Sequence, residues 1–204
     1  MSRMIPKLEE YFRKFVPTRD ATLLAIEEEA RQEGIPIIGP VVGELLYILA
    51  SAIQPKHVLE LGTATGYSAI YLARACEGSG GLLVTVERDK GMVARAQANF
   101  EKAGIQQRVE IRVEDAIEEM ARMKGPFDLI FVDIDKESYA DALPHCHRLL
   151  RSGGVLVADN VGFQGAEDFN RDVAEHPQWR NVHLLCLLPL HSPEQDALCL
   201  ALRV

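Results

Sequence analysis

The sequence predicts an α/β fold: a seven-stranded, doubly wound, mostly parallel sheet with helices on both faces, a helical N-terminal extension and a last strand that runs antiparallel. Three observations carry that expectation. From Pro55 onward, short apolar runs alternate with amphipathic segments of crossover length. The first five runs are rich in Val, Ile and Leu and lack strict alternation, as parallel strands buried on both faces do. The last two have no helix between them and connect through His191-Ser192-Pro193-Glu194, which suits a hairpin rather than a crossover.

The elements follow in order. Leu8, Phe12, Phe15 and Val16 recur at helical spacing, and Asp20 is positioned to cap a second helix carrying Leu23, Leu24 and Ile26 that Gly34 ends. A third helix is expected over 41–53. The wider apolar stretch 35–53 contains Pro36, Gly39, Pro40, Gly43 and Glu44, so it reads as a buried helix with a broken start rather than a membrane span. Strands are expected over 57–61, 82–87, 109–113, 129–133 and 155–159. Helices are expected between them over 67–76, 90–103, 115–123 and 138–150, with Gly78, Gly104, Gly125 and Gly153 near their ends and Pro144 as a candidate kink. A helix over 168–175 and strands over 182–188 and 197–204 complete the chain. With no repeat, low-complexity tract or linker, the expectation is a single domain over 1–204, with helices in 1–54 and the α/β core in 55–204.

Composition narrows the partners. Thirty acids against 22 bases give a formal charge of −8, which repels phosphate backbones and makes nucleic acid a poor default partner. Cys76, Cys146, Cys186 and Cys199 lie far apart with no CxxC pair, which argues for free thiols rather than a zinc ribbon or redox motif. Charges interrupt residues 1–20, leaving no signal-type apolar core, so the expected location is the cytoplasm, without membrane contact. The apolar faces of the N-terminal helices suggest a homodimer.

The segment Val58-Leu59-Glu60-Leu61-Gly62-Thr63-Ala64-Thr65-Gly66-Tyr67-Ser68 reads as a strand, a glycine turn and a helix start, which lets backbone approach a nucleotide-like ligand. It is neither a Walker A loop nor GxGxxG. Glu60, just before the turn, would repel a pyrophosphate and suits a cationic head such as an amino group or sulfonium. At the next strand end Glu87 could accept hydrogen bonds from ribose hydroxyls, and Asp115-Ala116 would sit beside an adenine. The competing structural roles are a solvated strand end for Glu87, an N-cap for Asp115 and ordinary turn glycines.

Two further strand ends carry acids. Asp133, Asp159 and Asn160 would converge outside the carboxyl edge of the sheet, and their oxygen donors suit a hard cation such as Mg2+. His145-Cys146-His147 point in different directions on a helix and are assigned to surface and packing.

Taken together, VLELGTATGYSA, VERD, FVDIDK and VADNV resemble the metal-dependent, S-adenosylmethionine-dependent O-methyltransferases of the catechol and caffeoyl-CoA type, over the chain from about Ile35 onward. The resemblance implies a Rossmann-like class I methyltransferase fold. It implies S-adenosylmethionine contacts at Glu60, Gly62, Thr63, Gly66, Tyr67, Ser68, Glu87, Arg88, Asp115, Ala116 and Asp133, and a Mg2+, Mn2+ or Ca2+ site at Asp133, Asp159 and Asn160. It further implies Lys136 as catalytic base with Asp133 beside it, and a small hydroxylated substrate bearing a vicinal diol. The passage from Val161 to Phe169 lacks the long insertion of caffeoyl-CoA enzymes and looks like the catechol enzyme. Asp135 replaces an aromatic that flanks the lysine there, and no third substrate-binding carboxylate stands out at 187–190, which points away from catechol itself.

Two alternatives remain open at this point. Ile35-Pro36-Ile37 and GYSAI are similar to bacterial enzymes that methylate 5-hydroxyuridine in tRNA, for which Arg148, Arg151, Arg171 and Arg180 would have to form a local basic patch. A dinucleotide-dependent oxidoreductase or a non-catalytic nucleotide-binding module is the other, disfavoured by Glu60 and the Gly-x-x-x-Gly spacing.

Overall fold

The computed structural model describes residues 3–204; Met1 and Ser2, within the stretch read for a signal segment, lie outside them. Three helices precede the sheet: α1 (Leu8–Phe12), α2 (Ala21–Glu33) and α3 (Gly39–Ile53). Asp20 caps α2 by accepting the Leu23 N–H at 3.0 Å, satisfying a donor that the first turn would otherwise leave free. Helix α3 starts earlier than its apolar pattern implied, with Pro40 in its first turn, where a missing N–H costs nothing. Val42, Leu46 and Ala50 are wholly buried. A Cβ on Gly43 would come within 2.4 Å of the Tyr71 ring, so its absence allows α3 to lie against α4 (Tyr67–Ala75). Among the described residues no helix is long and apolar enough to cross a membrane.

The strands are β1 (His57–Leu61), β2 (Leu82–Glu87), β3 (Val109–Val113), β4 (Phe127–Val132), β5 (Leu150–Ala158), β6 (Trp179–Leu187) and β7 (Gln195–Arg203), in the order β3-β2-β1-β4-β5-β7-β6. β1 to β5 are parallel; β7 enters antiparallel beside β5 and forms the expected hairpin with β6, from Trp179 opposite Arg203 to Leu187 opposite Gln195. Helices α5 (Lys90–Ala103), α6 (Ala116–Arg122), α7 (Tyr139–Leu149) and α8 (Glu167–Glu175) complete the two outer layers. Because strand side chains alternate, β4 feeds both cores. Leu129 and Phe131 pack with Leu46, Ile70 and Phe100, while Ile130 and Val132 pack with Tyr139, Leu149 and Phe169.

Beyond α3, the structure departs from the sequence reading most at β3, β5 and α7, while β4 and β6 also begin earlier than expected, at Phe127 and Trp179. β3 is half exposed rather than buried on both faces, because the strand order leaves it at the sheet edge. β5 begins at Leu150, earlier than expected, since Arg151-Ser152-Gly153-Gly154 hide a strand start whose register with β4 is irregular. α7 runs through Pro144 to Leu149. The four cysteines are free, three of them buried.

Candidate active site

Reversal of strand order between β1 and β4 opens a crevice at their carboxyl ends, the usual ligand position in a doubly wound sheet. A cavity of about 280 Å³ lies there. Gly62, Thr63, Tyr67 and Ser68 line it from the first turn, Glu87 and Arg88 from the end of β2, and Asp115 and Ala116 from the start of α6. Asp133, Lys136, Asp159 and Asn160 line it from beyond β4 and β5. Of the expected site residues only Glu60 and Gly66 are outside the lining.

The turn's glycines are required by its geometry. Gly62 has φ 94°, and a Cβ there would lie 2.0 Å from the Asp133 carbonyl oxygen, so the first and fourth strand ends approach closer than any side chain permits. Gly66 caps α4 at φ 86°, against the Phe100 ring. Tyr67, the first residue of α4, donates its hydroxyl to Glu27 at 2.6 Å, and Arg19 grips the same carboxylate through Nε and Nη2 at 2.8 and 3.0 Å. The N-terminal helices therefore brace one wall of the cavity.

Glu60 is fully buried beneath this turn. Its Oε2 accepts from the Thr85 hydroxyl at 2.6 Å, Thr85 is in turn 2.5 Å from Thr63, and Oε1 has no hydrogen-bond partner. Burial pushes its pKa up to about 8; the Thr85 hydroxyl opposes this, while the charges of Asp133 and Glu87 add to it. The folded state thus holds a proton that the unfolded chain releases near the ordinary carboxylate pKa of 4.5. Stability from this residue is complete below that pH and is lost as pH rises through about 8. Glu60→Gln, permanently neutral, should gain in melting temperature over the parent as pH is raised from 4.5 to 8 in cofactor-free protein. A difference that stays constant with pH would mean that Glu60 is already ionised in the fold.

Glu87 is not a solvated strand end. It accepts the Ala64 N–H at 2.9 Å and the Asp89 N–H at 2.8 Å, tying the glycine turn to the second strand end while lining the cavity. Arg88 reaches across to Asp135 at 2.8 Å, an exposed pair that spans two of the cavity's loops. Asp115 does serve as the N-cap of α6, accepting from Ile117 and Glu118 at Oδ1, which leaves Oδ2 available.

The acidic cluster is held from several sides. Lys136 Nζ donates to Asp133 at 2.8 Å and to the Ile134 carbonyl at 3.0 Å, and stands 5.5 Å from the Tyr139 ring centre. The buried Asp159 carboxylate accepts from His191 Nε2 at 2.8 and 3.0 Å. Burial raises its pKa, nearby Asp133 raises it further, and the His191 bond opposes both. Asn160, at φ 52°, donates Nδ2 to Asp196 at 2.6 Å. A carboxylate only accepts, so this contact fixes the amide orientation and leaves Asn160 Oδ1 free as an oxygen donor. Two carboxylates and that oxygen, lining one cavity, fit a hard divalent cation. Among the described residues no three of His, Cys, Asp and Glu form a metal-binding group, so the fit rests on Asp133, Asp159 and the Asn160 amide oxygen alone.

His191, Asp196 and Thr85 have no place at the site in the sequence reading, where His191 figures only in the hairpin connection. Local sequence carried no signal for them: each partner lies between 25 and 36 residues away, and only the pairing of β1 with β2, and of β5 with β7, brings them together. Three of the arginines considered for a basic patch are engaged internally. Arg148 donates to the Met120 and Met123 carbonyls, Arg151 pairs with Asp128, and Arg171 pairs with Asp168 and Asp172.

A family model described as O-methyltransferase matches residues 23–185. The catechol O-methyltransferase of Niastella koreensis is 37% identical over 166 residues, covering 78% of this chain and 75% of its own length. An O-methyltransferase from Bacillus cereus, solved in complex with SAH, superposes with a TM-score of 0.86 at 27% identity over 97% of each chain. The O-methyltransferase TomG from Streptomyces achromogenes, involved in tomaymycin synthesis and solved with SAM, gives 0.86 at 27% identity over 98% of this chain and 100% of that one.

Proposed function

The chain belongs to the O-methyltransferase family, and from that premise we propose that it transfers the methyl group of S-adenosylmethionine to one hydroxyl of a vicinal diol, aided by a divalent cation at Asp133, Asp159 and Asn160. The observation that carries this reading is that those three oxygen-bearing side chains line the same cavity as the glycine turn. The relatives solved with SAH and SAM, and the curated catechol enzyme, support the cofactor and the acceptor class.

Gly62, Thr63 and Ser68 would admit the cofactor's amino-acid end, Glu87 its ribose and Asp115-Ala116 its adenine. Bound there, the sulfonium supplies an electrophilic methyl group, and the acceptor oxygen is the nucleophile. A phenol with a pKa near ~10 is mostly protonated at neutral pH, so deprotonation must be assisted. A divalent cation at the three oxygens, Mg2+ or Mn2+, would favour the oxyanion of a chelating diol. Lys136, three residues beyond Asp133 and in the same cavity wall, would take the proton as a neutral amine, since the ammonium form that pairs with Asp133 has no lone pair to accept it. Its hydrogen bond to Asp133 holds Nζ in place, and Tyr139, bonded to the Val132 and Asp159 carbonyls, ties the two acidic strand ends to α7.

Lys136→Ala should lower kcat by ~10²–10⁴-fold, the usual contribution of a positioned base, with cation and cofactor affinity little changed. Lys136→Arg is the sharper variant, because arginine can keep the ion pair but cannot accept a proton. An arginine variant as fast as the parent would remove Lys136 from the chemistry. The acceptor is tested by a methyl-transfer screen of catechols, caffeoyl esters, flavonoids and hypomodified tRNA, each with and without Mg2+. Cation-dependent transfer to diols is the expected result; transfer to tRNA alone would replace the small-molecule reading.

A further inference from the structure

The hairpin that closes the sheet reaches back to the acidic cluster. Between β6 and β7 the chain folds on itself: Leu188 N–H donates to the Glu194 carbonyl at 2.7 Å, His191 N–H to the Leu188 carbonyl at 3.0 Å, and Leu190 N–H to the Glu194 carboxylate at 3.0 Å. Arg13 pairs with that same carboxylate, fastening the loop to the N-terminal segment. His191 is thereby held with its side chain 1% exposed, against an Asp159 side chain also 1% exposed.

The ring is held on both sides. Nδ1 lies 2.6 Å from the Pro193 carbonyl and Nε2 lies 2.8 and 3.0 Å from the two Asp159 oxygens, so each ring nitrogen has a partner and Nε2–H is the donor to Asp159 in its carboxylate form. One N–H shared between two carboxylate oxygens leaves most of their lone pairs unused. The Asp159 main chain is separately fixed, its N–H on the Val132 carbonyl at 3.0 Å and its own carbonyl on the Tyr139 hydroxyl at 2.9 Å. His191 is therefore the contact that sets the side chain. Asp196, at the start of β7, holds Asn160 in the same manner. Two of the three oxygen donors are thus oriented by one hairpin.

We propose that His191 is a positioning residue for the cation site: through Nε2–H it locks the Asp159 carboxylate in the orientation that faces the cavity shared with Asp133 and Asn160. A ligand fixed in advance loses less conformational freedom on binding, and outer partners of metal ligands commonly contribute 10–100-fold to affinity. This inference rests on the cation reading above.

The test is Mn2+ titration of the full chain, followed by loss of the free Mn2+ resonance signal, with S-adenosylhomocysteine calorimetry on the same samples. His191→Ala should weaken Mn2+ binding by ~10–100-fold while S-adenosylhomocysteine affinity stays within about threefold. His191→Gln, whose amide N–H can still donate to Asp159, should recover most of the lost affinity. A purely structural role would move both ligands together and would show no rescue. Should His191→Ala fail to fold, His191→Gln against His191→Leu, a comparable volume without a donor, makes the same comparison. Equal Mn2+ affinity in parent and His191→Ala, or in the Gln and Leu variants, overturns the proposal; so does tighter binding in His191→Ala, which would make the histidine a competitor of the cation. A parent protein that binds no Mn2+ would instead overturn the cation reading itself, so the two failures are distinct.

Discussion

Replacing Asp159 should abolish methyl transfer to a diol and reproduce the effect of EDTA on the parent enzyme, with Mg2+ or Mn2+ restoring the parent but not the variant. Charge stabilisation by a bound cation is worth several kcal/mol, so the expected loss is ~10³-fold or more in kcat/KM. The choice of substitution matters. Asp159→Ala also leaves the buried His191 Nε2 without its partner, and an unsatisfied buried polar group typically costs ~1–3 kcal/mol of stability. Asp159→Asn removes the charge but keeps an oxygen for His191, so it separates the cation site from the fold. Calorimetry with S-adenosylhomocysteine should register little change, because the glycine turn and Glu87 are untouched. Full activity of the Asn variant in EDTA would reduce the three oxygens to loop contacts and leave the family's methyl transfer without its cation.

Gly62→Val should be the most damaging change on the cofactor side. The added Cβ meets the Asp133 carbonyl oxygen at 2.0 Å, which is backbone and cannot swing aside, and a β-branched residue opposes φ 94° as well. Relief of the clash must separate the ends of β1 and β4, the two strands whose carboxyl ends form the crevice. S-adenosylhomocysteine affinity should fall by ~100-fold or more, and the melting temperature should drop. Gly80→Ala is the matched control. Gly80 is also left-handed, at φ 68°, but a Cβ there meets nothing within 4 Å, so it carries only the backbone penalty of ~1–2 kcal/mol. If Gly62→Val binds the cofactor normally, the close approach of the two strand ends has no part in ligand binding.

Much of the fold was legible along the chain because its determinants are local. β1, β2 and β3 have the bounds their apolar runs implied, and Asp20 and Gly34 bound α2 through interactions within a few residues. The glycine turn was legible for a related reason: close backbone approach demands glycine, so the requirement is written in the residue type. Where the reading slipped, the deciding term was non-local. The exposure of β3 follows from its place at the sheet edge, and the early start of β5 from pairing with β4 across polar and glycine residues.

The chain's own chemistry determined which groups are available: acids at four strand ends, a glycine turn beside one of them, and a lysine three residues beyond Asp133. Tertiary structure decided what each group is bonded to. It turned Glu87 from a strand end into a brace for Ala64, set Asn160 by Asp196 and Asp159 by His191, and left Glu60 buried with an unpartnered oxygen. Residue type fixes charge, donor count and intrinsic pKa, whereas hydrogen-bond partners and desolvation depend on which strands lie side by side. That is a property of the sheet order, and no local stretch of sequence contains it.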